Sequence, residues 1–127
     1  MAENGVVSVL IADDNGLFRS ALDAILGTEP SIRVVGRASD GEEAVRMAAD
    51  LQPEVVLMDL SMPVLDGFLA TRRIQEEAPR ARVLVLTGSP DRADFEQAEA
   101  AGAAGYVTKD RIASELVAAI HAVARGS

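Results

Sequence analysis

Carboxylate, hydroxyl and ammonium side chains follow or end apolar runs at four places in this 127-residue chain. Asp13 and Asp14 follow the run VVSVLIA, and Asp59 ends the run VVLMD. Thr87 ends RVLVLT, and Lys109 follows GYVT. Three carboxylates that meet repel one another unless a cation lies among them, and an all-oxygen ligand set suits Mg²⁺. An ammonium and a hydroxyl facing that ion would complete the charge neutralisation that phosphoryl transfer requires.

Taken singly, each of these residues has an ordinary structural explanation. Asp13 or Asp14 could be only the N-cap of a following helix, and Asp59 could begin a turn. Thr87 is a common strand residue, and Lys109 could be a solvated charge. Their shared position at the ends of apolar runs favours one site. Lys109 is also the only lysine among twelve basic residues, the other eleven being arginine.

The apolar runs predict five strands. They lack polar alternation, which is typical of strands that are buried on both faces of a sheet. The predicted strands are Val6–Ala12, Ile32–Ala38, Val55–Asp59, Arg82–Thr87 and Gly105–Thr108.

Helix-period segments lie between and after these runs. The first has an apolar stripe at i, i+4 spacing that we expect to face the core: Leu17, Ala21, Leu22, Ile25 and Leu26. The second enters through Asp40 as N-cap and stops before Pro53. The third ends before Pro79, and the fourth, from Asp91 to Ala101, is only weakly amphipathic. The fifth carries the stripe Ile112, Leu116, Ile120 and Val123.

Five βα units predict a single α/β domain with a five-stranded parallel sheet and helices on both faces. The expected strand order is the flavodoxin-like 2-1-3-4-5. In such a sheet ligands bind beyond the carboxyl ends of the strands, where the residues described above are expected to meet.

Composition narrows the class of protein. The net charge of −8 makes the chain a poor non-specific ligand for nucleic acid or an anionic membrane, and the absence of cysteine excludes disulfides and Cys-ligated zinc. No apolar run reaches the length of a membrane span and the start does not read as a signal peptide, so we expect a cytoplasmic protein without a membrane partner.

Four motifs together resemble the receiver domain of two-component response regulators. They are ADDN after the first strand, MDLSMPVLDG around Asp59, LTGS after the fourth strand and GYVTKD at the fifth. The resemblance extends from Val6 to about Val123, and GYVTKD is similar to the NarL/FixJ branch of this family.

The resemblance implies a role for each site residue. Asp59 matches the phosphoacceptor, Asp14 the main Mg²⁺ ligand with Asp13 assisting through water, and the Ser61 carbonyl a third protein ligand. Lys109 matches the lysine that pairs with the phosphoryl oxygens. Thr87 matches the hydroxyl that moves to bind phosphate, and Tyr106 the aromatic residue that swings inward behind it.

The resemblance also implies partners and a domain plan. A sensor histidine kinase would donate the phosphoryl group, and phosphorylation would switch the face from the fourth strand to the fifth helix, with possible homodimerisation. Residues 1–127 are expected to be the receiver alone. DNA would be bound only through a helix-turn-helix output domain absent from this chain. We expect no enzyme activity beyond the chain's own phosphorylation and dephosphorylation.

Several alternatives remain open at this point. The chain could be a stand-alone receiver acting as phosphoryl shuttle or adaptor, or a degenerate receiver that never takes phosphate. An aspartate-dependent phosphohydrolase would use similar residues, but it places its nucleophile after the first strand with a second Asp two residues on, where this chain has Asn15. A flavin or dinucleotide module lacks the glycine-rich loop after that strand.

Overall fold

The computed structural model describes residues 5–60, 62, 65–88 and 91–126. Strands and helices alternate along the chain as the apolar runs predict. The strands are β1 (Val7–Ala12), β2 (Ile32–Ala38), β3 (Val55–Asp59), β4 (Arg82–Thr87) and β5 (Gly105–Thr108). The helices are α1 (Gly16–Gly27), α2 (Gly41–Leu51), α3 (Gly67–Glu77), α4 (Arg92–Ala101) and α5 (Ile112–Ala124). A 3₁₀ turn, Lys109–Arg111, joins β5 to α5.

The five strands form one parallel sheet in the order β2-β1-β3-β4-β5, which confirms the predicted fold class. β1 and β3 are neighbours, with Ala12 opposite Met58, and β4 and β5 pair with Thr87 opposite Thr108. All strands run the same way, so their carboxyl ends lie at one edge of the sheet.

The sheet is covered on both faces, which explains why the strands read as continuous apolar runs. Residues such as Met58 and Val85 pack with α2, α3 and α4, whereas Leu57 and Leu84 pack with α1 and α5. The predicted stripe of α5 is confirmed, because all four of its members are buried: Ile112, Leu116, Ile120 and Val123.

The predicted buried stripe of α1 is wrong in part. Leu17 is 85% exposed and Ala21 is exposed, while Phe18, Leu22 and Leu26 face the core. Both rows of residues have i, i+4 spacing and they lie side by side on the helix. The row with the larger side chains is the one that packs on the sheet.

Side-chain caps begin four of the helices. Asp40 caps α2 as predicted, with its Oδ1 accepting from the Glu43 amide at 2.8 Å, and Asp66 and Asp91 cap α3 and α4. The cap of α1 is Asn15, whose Oδ1 accepts from the Phe18 amide at 3.0 Å. The explanation of Asp13 or Asp14 as the N-cap of α1 is therefore wrong, and both carboxylates are available to other partners.

Within the described residues, no helix has the length and apolar character that a membrane crossing requires.

Candidate functional site

Three carboxylates meet at the carboxyl ends of β1 and β3. Asp13 and Asp14 follow β1 directly and Asp59 is the last residue of β3. One carboxylate oxygen from each residue lies within 4.8 Å of the others. Asp13 and Asp59 are buried and Asp14 is exposed, so the cluster opens to solvent on one side. The structure thus brings together the three acidic residues that the strand ends predict.

Asp13 is held by its main chain and its side chain. Its amide donates to the Ala38 carbonyl at 3.0 Å, which extends the ladder between β1 and β2 by one residue. An Nη1 of Arg19 donates to the Asp13 carbonyl at 2.6 Å. The Asn15 amide donates to Asp13 Oδ1 at 2.8 Å. These contacts leave Asp13 Oδ2 directed at the remaining partner in the site.

That partner is Lys109, the first residue after β5. Its Nζ lies 3.3 Å from Asp13 Oδ2 and 3.3 Å from Asp59 Oδ1. The side chain is 27% exposed, so the pairs are only partly screened by water. One ammonium against three carboxylates leaves the site negatively charged, and a divalent cation would relieve that charge.

The Phe18 ring is a third contact of the Lys109 ammonium, besides Asp13 and Asp59. The Nζ of Lys109 lies 4.2 Å from the centroid of the Phe18 ring, within the range of a cation–π contact. The predicted stripe of α1 included Leu22 and Leu26 of this face but began at Leu17 and so missed Phe18. The i, i+4 spacing of Phe18 with Leu22 was the signal that could have revealed it.

The main chain after Asp59 packs closely against the start of α3. The Gly67 amide donates to the Leu60 carbonyl at 3.0 Å. A Cβ at position 67 would collide with the carbonyl oxygen of Asp59 and would lie 2.6 Å from the Leu60 Cα. Glycine is therefore required here by the close approach of two backbones, one of which carries the Asp59 carboxylate.

Thr87 and Tyr106 meet on the α4 side of the sheet. Thr87 ends β4, is 5% exposed, and shares a side-chain hydrogen bond with Tyr106 of β5. The Tyr106 ring packs edge-on against Phe95 of α4, with centroids 5.2 Å apart and planes at 87°. Burial raises the pKa of the Tyr106 phenol, and the charge of Asp94 raises it further. The Tyr106 ring thus already lies between α4 and Thr87.

The donor set fits a hard divalent cation. All three side chains offer carboxylate oxygens, which are the ligands that Mg²⁺ prefers, and the exposed side leaves room for water ligands. Ser61, predicted to add a carbonyl ligand, lies outside the described residues.

A family model described as "Response regulator receiver domain" matches residues 9–121. The transcriptional regulatory protein LiaR of Bacillus subtilis is 40% identical over 121 residues, covering 95% of this chain and 57% of that protein. The protein-glutamate methylesterase/protein-glutamine glutaminase 1 of Myxococcus xanthus is 40% identical over 109 residues, covering 86% of this chain and 31% of that protein. The chain thus spans less than two thirds of the length of these curated relatives.

Among solved structures, the signal receiver domain of the response regulator NarL from Mycobacterium tuberculosis superposes with a TM-score of 0.92. It is 34% identical in sequence, and the match covers 96% of this chain and 98% of that one.

Proposed function

The chain belongs to the receiver domains of two-component response regulators, related to those of NarL and LiaR, and from this premise we propose that it takes a phosphoryl group onto Asp59. One observation carries the proposal. The buried carboxylate of Asp59 lies among two further carboxylates and 3.3 Å from the ammonium of the chain's only lysine. This is the arrangement that an anionic nucleophile needs in order to approach an anionic phosphoryl group.

The reaction proposed is a transfer from a phosphohistidine of a sensor histidine kinase. An oxygen of Asp59 forms a bond to phosphorus while the bond from phosphorus to the donor's imidazole nitrogen breaks, and the imidazole leaves with that electron pair. Lys109 pairs with a phosphoryl oxygen, and its positive charge offsets the negative charge that the phosphoryl group brings to the site. The product is an acyl phosphate on Asp59.

The metal proposed for the site is Mg²⁺, held by Asp13, Asp14 and Asp59. Asp14 would be the main carboxylate ligand, with Asp13 assisting through water and the Ser61 carbonyl as a further ligand. Receiver domains bind Mg²⁺ at an acidic pocket of this kind. When bound, the ion neutralises phosphoryl oxygens and orients them for in-line transfer.

The output of phosphorylation is proposed to pass through Thr87 and Tyr106. An acyl phosphate adds acceptor oxygens beside β4, which can attract the Thr87 hydroxyl away from its present partner. Tyr106 contacts both Thr87 and Phe95 of α4, so a movement of the Thr87 side chain is passed to α4 through the Tyr106 ring. α4 buries only two of its residues, Ala98 and Ala101, and so resists displacement weakly.

We propose that the response to phosphorylation is produced outside this domain. LiaR is named a transcriptional regulator and the Myxococcus relative a methylesterase, so similar receiver sequences occur in proteins with different activities. We assign residues 1–127 to the receiver and propose a helix-turn-helix DNA-binding output, with phosphorylation favouring a homodimer. A stand-alone shuttle or adaptor is the alternative, and an enzyme activity in this chain beyond its own phosphorylation is not proposed.

The test is intact mass after incubation with Mg²⁺ and phosphoramidate, a small phosphodonor. Wild type should gain one phosphoryl group, and Asp59→Asn should gain none. Asp50→Asn is the matched control, because Asp50 is an exposed carboxylate on α2 outside the site, and it should label as wild type does.

Two results would count against the proposal. Labelling of Asp59→Asn at the wild-type level would overturn the assignment of Asp59. Failure of wild type both to gain a phosphoryl group and to bind the phosphate mimic beryllofluoride would favour the degenerate receiver, in which function resides in protein contacts alone.

A further inference from the structure

We propose that Phe18 is a positioning residue that holds the Lys109 ammonium against the phosphoacceptor. The inference rests on the function proposed above, and it gives α1 a part in the chemistry of the site through its contact with Lys109. Its basis is the 4.2 Å separation between the Lys109 Nζ and the centre of the Phe18 ring. A phenyl face carries negative charge density and attracts an ammonium.

The three partners of Lys109 differ in what happens to them when a cation enters the site. Asp13 and Asp59 are both members of the carboxylate cluster, so a metal ion would share their negative charge. An ammonium and a divalent cation also repel each other. Phe18 offers no oxygen ligand, so its attraction for Lys109 is not diverted to a hard cation. The ring is therefore the contact that persists when the carboxylates are engaged.

The position of the ring is set by the turn that carries the acidic residues. Asp13 Oδ1 accepts from the Asn15 amide, and Asn15 Oδ1 accepts from the Phe18 amide at the start of α1. Phe18 also packs against the apolar cluster beneath α1 and α5. The residue is thus held by a helix cap and by the core, and its ring limits where the long side chain of Lys109 can lie.

The first test measures the contact without any metal or phosphodonor. Because Lys109 is the only lysine, lysine labelled with ¹³C and ¹⁵N gives one set of side-chain signals from the whole chain. Protons above a phenyl face resonate upfield, so the Lys109 ε-protons should lie upfield of those of free lysine. The displacement should vanish in Phe18→Leu and remain in Phe18→Tyr, which keeps the ring.

The second test measures the consequence for phosphorylation. Phe18→Leu should slow labelling by phosphoramidate about two- to fivefold, as expected for loss of a part-exposed ammonium–ring contact. Phe18→Tyr should label at nearly the wild-type rate. In a Lys109→Ala background, Phe18→Leu should change the residual rate by less than about 1.5-fold, because no ammonium remains to be positioned.

The outcomes separate the inference from the proposed function. If wild type is phosphorylated but its Lys109 ε-protons resonate at the chemical shift of free lysine, the inference is overturned and the proposed function is not. Equal slowing by Phe18→Leu with and without Lys109 assigns Phe18 a purely structural role and also overturns it. A wild type that neither takes a phosphoryl group nor binds beryllofluoride overturns the proposed function, and the positioning role falls with it even if the upfield signals are present. Melting curves of each variant show whether it is folded at the assay temperature.

Discussion

Tyr106 is the residue that reports most directly on the α4 side of the site. The chain has one tyrosine and no tryptophan. At wavelengths longer than those at which phenylalanine absorbs and emits, its ultraviolet absorption and fluorescence therefore come from Tyr106 alone. Burial raises the pKa of the phenol above its ordinary value of 10.0, and Asp94 raises it further. The hydrogen bond with Thr87 opposes this rise, and Asp91 adds to it.

We expect the phenolate absorption of the folded chain to titrate at a higher pH than that of free tyrosine. Asp94→Asn should lower this pKa because it removes a negative charge, whereas Asp50→Asn should leave it unchanged. Since the folded pKa lies above the unfolded one, the stabilisation linked to the neutral phenol is complete below the unfolded pKa and is lost as the pH rises through the folded value. A wild-type midpoint at or below that of free tyrosine would contradict the structure around Tyr106.

The side chains at the strand ends were predictable from sequence, whereas their supports were not. Asp13, Asp59 and Lys109 are placed by the simple rule that parallel strands end at one edge, and the structure brings them within ion-pair distance. Asn15 caps the start of α1, and Phe18 in the first turn of that helix contacts Lys109. Which face of α1 turns toward the sheet depends on contacts made across the fold, and the local spacing of apolar residues does not specify it.

Among the secondary-structure elements, β3 and α3 approach each other closely where Gly67 meets the backbone of Asp59 and Leu60. Gly67→Ala should destabilise the fold by about 1–3 kcal/mol, because the added Cβ meets backbone atoms that cannot move aside as a flexible side chain can. Gly27→Ala is the matched control. It lies on α1 with no atom within 4 Å of the added Cβ, so the change should be neutral or stabilising by up to about 1 kcal/mol.

Urea unfolding followed by circular dichroism gives both free energies of unfolding. Gly67→Ala should also slow the proposed labelling of Asp59, because relief of the collision shifts the backbone that carries this residue. Equal stability of the two variants would show that the β3–α3 junction is looser than the structure has it.

The strands and helices differed in how well sequence alone specified them. The five strands are marked by apolar runs that are buried on both faces of the sheet. Their order was predicted correctly, and their bounds match the prediction except that β1 begins at Val7 and not at Val6. On α1, Leu22 and Leu26 were predicted correctly, but Leu17 and Ala21 were included in place of Phe18 because Leu17–Ala21 and Phe18–Leu22 satisfy the same spacing. α4, whose buried residues are alanines, gave a weak pattern for the physical reason that it packs lightly.

For the whole molecule, charge is the property that links the site to stability. The chain carries a net charge of −8, and three carboxylates are gathered at one edge of the sheet with a single lysine. Self-repulsion of this kind disfavours the compact state, and most strongly where the charges are closest. Binding of a divalent cation should therefore stabilise the entire fold and not only the loops of the site.

We expect Mg²⁺ to raise the melting temperature of wild type by about 8 °C or more at a hundred times its dissociation constant. Mass action then contributes about 2.7 kcal/mol, and a domain of this size shifts by about 3–5 °C per kcal/mol. Asp14→Asn should lose most of this shift, since it removes the exposed carboxylate of the cluster without unpairing Lys109, while Asp50→Asn should keep it. Scanning calorimetry with and without Mg²⁺ makes the comparison. If Asp14→Asn gained as much stability from Mg²⁺ as wild type did, the ion would be acting by general screening, and the carboxylate cluster would not be its site.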